Sequence, residues 1–183
     1  MTKYLLIQVL ITVPVLLTAQ VFGTGETLRK GKSSVGINSF YSAMDENKKV
    51  YLFVHLGHGI GQACDIDVKV GFTGDETYLG ADAEWQLTRR NVFVSFTGGA
   101  HKFINFGMDA ILNVMLPMGR NSGVYLGTDL DIEFEKKEVI TPFWLFIGMK
   151  INLSRKTCLL VTMEGAMNDE ASNILSAGLK FDL

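Results

Sequence analysis

Past its first twenty residues the chain has no run of about eighteen apolar residues, the least a helix needs to cross a bilayer, so any crossing has to be made by strands. With two cysteines it cannot build a disulfide framework, and with three prolines it leaves long stretches free for uninterrupted sheet. A large excess of either charge is missing too: 17 Lys and Arg stand against 19 Asp and Glu, a net charge of -2. That gives no basic stripe for a phosphate backbone, and nucleic acid is not expected as a partner. No His/Cys cluster sits at metal-ligand spacing, no nucleophile-base motif is legible, and no cofactor is implied. Nineteen glycines and 48% hydrophobic residues suit strands and turns in a single domain.

What is present begins with an export signal. Lys3 gives a positive start, Tyr4 to Leu17 an apolar core, and Thr18-Ala19-Gln20 a small-residue cleavage site after Ala19, with a second candidate after Gly23. Residues 1–19 are therefore expected to be removed on export, 20–32 to form a short periplasmic lead, and 33–183 to form one β-domain.

The domain is organised around Cys64 to Leu87. Ile66, Val68, Val70 and Phe72 alternate with Asp65, Asp67 and Lys69; after the turn Gly74-Asp75-Glu76, Leu79, Ala81, Ala83, Trp85 and Leu87 alternate with Tyr78, Asp82, Glu84 and Gln86. Period two on both sides of a tight turn is an antiparallel hairpin with one apolar and one charged face. Each arm has about the ten residues that a tilted strand needs to span a bilayer. The pattern repeats to the end of the chain, most cleanly where Val124, Leu126, Leu130, Ile132 and Phe134 oppose Tyr125, Asp129, Asp131 and Glu133. The sum is about ten strands, or eight if the second or ninth segment is irregular. The fold class is all-β, a closed antiparallel up-and-down barrel.

Periodicity does not say which face is outside, but three features favour an apolar exterior and hence a transmembrane β-barrel. Nearly every strand carries four or five apolar residues on one face, enough for a band of about 25 Å. Aromatics on that face fall at strand ends: Tyr41, Phe72, Phe106, Phe134 and Phe143 at one end, Trp85 and Phe181 at the other. The turns also sort by charge, with Arg89-Arg90, Arg120 and Arg155-Lys156 at one end and Asp45-Glu46, Asp75-Glu76 and Asp169-Glu170 at the other.

The inward face then holds Asp65, Asp67, Asp82, Glu84, Asp109, Asp129, Asp131, Glu133, Glu164 and Asp182 against Lys69, Lys150 and Lys180. Such a lumen is either a hydrated hydrogen-bonded network filling a narrow barrel or a cation-attracting path or metal site. His55 and His101 are the candidate bases for an enzyme, with Ser95 expected near Glu84, but no nucleophile, base and orienter converge in the pattern. Cys64 is expected to point out and Cys158 in, four strand steps of about 4.8 Å apart, beyond the roughly 7 Å of a disulfide.

At the C-terminus, Ser176-Ala177-Gly178-Leu179-Lys180-Phe181-Asp182-Leu183 resembles the terminal β-signal of outer-membrane barrels, with the polar residue, the glycine two later and spaced hydrophobics at Phe181 and Leu183. Together with the strand pattern, this makes Lys32 to Leu183 similar in architecture to the small OmpA-like and OmpX-like barrels of Gram-negative bacteria. The resemblance implies recognition of this strand by the barrel assembly machinery, contact with outer-membrane lipid, and closure of the last strand on the first. It implies a structural or interaction role or a narrow passive pore. A secreted lipocalin-like barrel with an apolar interior and an outer-membrane enzyme stay open as alternatives.

Overall fold

The structure, a computed structural model, describes residues 23–42, 50–73, 76–136 and 138–183. The signal with its cleavage site after Ala19, Asp45-Glu46 and Gly74-Asp75 lie outside the described residues. Alternating sequence gives strand after strand: β1 (Ser33–Ser42), β2 (Val50–Gly59), β3 (Cys64–Thr73), β4 (Glu76–Arg89), β5 (Phe93–Lys102), β6 (Phe106–Met118), β7 (Ser122–Phe134), β8 (Val139–Ile140), β9 (Phe143–Asn152), β10 (Thr157–Ala166) and β11 (Ile174–Asp182). Each of the ten long strands pairs antiparallel with its neighbours. β1 then pairs with β11, Ile37 opposite Leu179, and closes the barrel. Ten strands close it, so the count of eight is excluded. β8, inside what the sequence pattern leaves as a turn, is a two-residue addition to the edge of β7, too short to show a period.

Facing follows the pleat. Leu79, Ile147 and Met163 are 56%, 51% and 57% exposed, while Asp129 and Glu164, on the other parity, are 1% and 0% exposed. The apolar stripes of neighbouring strands lie in register, as Val54 does with Val70 and Val68 with Ala81, and so make one continuous outer belt. A lipocalin-like barrel requires the reverse facing, because its ligand cavity is apolar. Strands of about ten residues, at about 3.4 Å per residue and tilted by about 40°, give a belt of roughly 25 Å. The core lies inside the barrel. One end carries residues 23–32, Leu183 and the turns with Arg90, Arg120 and Arg155-Lys156; the far end carries the connections around β8 and Glu170.

Candidate functional site

The lumen is the concave, chemically rich part of the molecule, and it is filled. At the far end Phe40, Phe53, Tyr78, Trp144 and Ile174 form a cluster with Tyr51 and Phe103 against it. Phe40 stacks on Tyr51 at 4.2 Å and on Phe53 at 5.0 Å, and Trp144 donates its indole N–H to Ser172 O at 2.7 Å. Across the terminal half, β6, β7, β9 and β10 contribute a second cluster of Ile111, Met115, Tyr125, Phe146 and Leu160.

Bare glycines let these rings lie flat against the wall. A methyl on Gly71 would come within 2.5 Å of the Phe53 ring, and one on Gly148 within 2.6 Å of Tyr125 Oη. Each ring thus occupies the space that a side chain on the next strand would have taken, which locks register as well as filling volume.

Between and beside the clusters run the charges. Lys69 is ion-paired with Asp82, both buried. His101 Nδ1 is 2.7 Å from Asp109 Oδ1, and Tyr78 stacks on the His101 ring at 5.2 Å. His55 Nε2 is 2.6 Å from Asn38 Oδ1, with Asp67 3.8 Å from its other nitrogen. Burial in a low dielectric makes every such pair worth more and every unmatched charge more costly.

The terminal end is stoppered by residues that the sequence pattern left as a lead. From Gly23 onward the segment folds into the barrel mouth. Asn113 Nδ2 donates to Gly23 O at 2.8 Å, Gln86 Nε2 to Gly25 O at 2.9 Å, and Leu28 N to Asp65 Oδ2 at 2.6 Å. Glu26 is ion-paired with Lys150, and Thr24 is buried. Gly25 and Gly31 have φ of 73° and 76°, which glycine alone adopts without strain, and these two positions turn the strap back on itself. Above the strap an internal cavity of about 40 Å³, lined by His55, Asp67, Lys69, Glu84 and Lys180 among others, has room for two or three waters. Below it a basic vestibule of about 990 Å³ opens between Arg29, Arg89, Arg120 and Arg155.

Of the acidic residues singled out from the sequence, Asp65, Asp82, Asp109, Asp129 and Asp131 are buried in the lumen, Asp67 and Glu84 half-buried, and Glu133 half-buried near the far rim. The register brings Asp109 opposite Asp131, and Asp67 opposite Asp82. His101, Asp109 and Asp131, on three neighbouring strands, each present a ligand atom within 4.8 Å of the others. No linear spacing announces that grouping. In the terminal strand Ser176 faces the lumen while Phe181 lies at the belt's edge, and Leu183 N donates to Ser33 O at 2.9 Å. Cys64 and Cys158 are unbridged, Cys64 in register with outward Trp85 and Cys158 against the second cluster.

No protein-family model matches the chain, and no curated protein does. Among solved structures the KdgM porin superposes with a TM-score of 0.52 at 7% identity, over 82% of this chain and 99% of that one. The N-terminal β-barrel domain of Pseudomonas aeruginosa OprF gives 0.44 at 10%, over 85% and 100%. A de novo designed transmembrane β-barrel gives 0.45 at 11%, over 86% and 100%. At such identities the likeness is one of fold: the chain shares with the KdgM porin a closed antiparallel β-barrel.

Proposed function

We propose that the protein is an outer-membrane β-barrel with a sealed lumen, serving as a membrane-anchored structural or interaction element and not as a pore. The observation that carries this reading is the filling of the lumen inward of the basic vestibule: an aromatic cluster, a charged band, a second apolar cluster and a strap hydrogen-bonded to Asn113, Gln86 and Asp65. The outer belt of Leu79, Ile147, Met163 and their neighbours supports lipid as its surroundings, because exposing so much contiguous apolar surface to water is unfavourable. The terminal strand from Ser176 to Leu183 supports insertion by the barrel assembly machinery, and the apolar stretch from Tyr4 to Leu17 supports export.

An enzymatic reading finds less support. Among the described residues no serine, threonine or cysteine side chain hydrogen-bonds His101, whose partner is Asp109. The test has two arms. After fractionation the protein should appear in detergent-extracted outer membrane, and recovery in buffer would overturn the membrane assignment. In planar bilayers the purified barrel should give no conductance steps; sustained steps would overturn the sealed lumen, and an acidic path would make them cation-selective.

A further inference from the structure

The geometry points to a binding site for one divalent first-row metal ion inside the barrel, held by His101, Asp109 and Asp131. The site is built by register. Gly99 of β5 lies opposite Asp109 of β6, and Asp109 opposite Asp131 of β7, so the three positions form one row across the wall, with His101 two residues further along β5 on the same face. His101, Asp109 and Asp131 are 4%, 5% and 2% exposed. Three ligand atoms within 4.8 Å of one another have a point in common within roughly 2.8 Å of each, so that small rotamer changes bring all three to the 2.0 to 2.6 Å of metal bonds.

A second observation asks for a cation. Asp129, two residues before Asp131 on the same face and 1% exposed, has no hydrogen bond to either carboxylate oxygen. Asp109 Oδ2 and Asp82 Oδ1, both without a hydrogen-bond donor, converge over the bare Cα of Gly99, where a methyl would stand 3.0 Å from Asp109 Oδ2 and closer still to Asp82. Lys69 is engaged with the other oxygen of Asp82 and His101 with Asp109, so three buried carboxylates, Asp82, Asp109 and Asp129, stand against these two bases. Carboxylates buried in that excess need protons or a metal ion. One imidazole with carboxylates suits Mn²⁺ or Zn²⁺.

The test uses the full chain folded in detergent, stripped with EDTA and titrated with Mn²⁺, with free Mn²⁺ read by its electron paramagnetic resonance signal. One Mn²⁺ per chain, displaced by Zn²⁺ and showing ¹⁴N coupling from a histidine, is expected. His101→Phe, which keeps a ring against Tyr78 and over Gly107, and Asp131→Asn should each weaken binding at least tenfold. Asp65→Asn, at the opposite end of the lumen, should leave it unchanged. Absence of bound Mn²⁺ in the folded parent would mean that protons alone neutralise the band and would overturn the site. So would bound Mn²⁺ without nitrogen coupling, or binding that both variants retain in full.

Discussion

Gly148→Ala tests whether the lumen is packed as tightly as a protein core. The added methyl would stand 2.6 Å from Tyr125 Oη and nearer still to two ring carbons, against the 3.5 to 4.0 Å of carbon–carbon contact, so the ring has to withdraw by more than about 1 Å. Tyr125 has nowhere to go: it is 0% exposed, its ring stands edge-on to Phe146 at 6.4 Å, and its hydroxyl is 2.5 Å from Thr162 Oγ1. Overpacking of this kind costs about 1 to 3 kcal/mol, and a broken buried hydrogen bond adds about 1 to 3. A destabilisation of about 2 to 6 kcal/mol follows, measured by urea unfolding in lipid vesicles. Tyr125→Ala should itself cost about 3 to 5 kcal/mol, but once the ring is gone Gly148→Ala should cost less than about 0.5. If Gly148→Ala is neutral in the parent, or equally costly in both backgrounds, the ring does not fill that space and the sealed lumen loses its physical basis.

Val68, 41% exposed near the middle of β3, should tolerate no charge: Val68→Arg is expected to cost about 2 to 4 kcal/mol and to lower the folded yield in vesicles, while the lumen change Asp67→Asn at the next position stays within about 1. Lys69→Met strands the buried carboxylate of Asp82 and should cost about 3 to 5 kcal/mol in urea unfolding, most of which Asp82→Asn in the same chain should restore. Phe181→Ala, at the belt's edge beside the closing seam, should reduce barrel assembly in cells with little effect on refolding in detergent; equal losses in both would make Phe181 a packing residue and not part of a recognition signal.

The strands were legible because one covalent rule generates them: successive side chains leave the backbone on opposite sides, so the alternation of Ile66, Val68 and Val70 with Asp65, Asp67 and Lys69 survives into the structure residue by residue. That rule is symmetric between faces. The aromatic ends and the sorted turns broke the symmetry in favour of an apolar exterior, and the barrel has that facing. Val139–Ile140 escaped because two residues carry no period. The strap from Gly23 escaped for another reason: its hydrogen bonds run to Asn113, Gln86 and Asp65, far along the chain, and impose no pattern on its own sequence.

The acidic lumen was visible as a list of residues, but its internal grouping was not. His101, Asp109 and Asp131 lie on three strands at separations that match no ligand motif, and they meet only because the β5–β6 and β6–β7 registers align them. Gly148 reads as one glycine among nineteen until pairing sets it opposite Tyr125. Closure is likewise non-local, joining Val35 to Phe181 at the two ends of the domain. The amino-acid order by itself determined which residues share a face, since that depends on the pleat of a single strand; which residues on that face touch depends on the offset between strands, and only the closed barrel sets that.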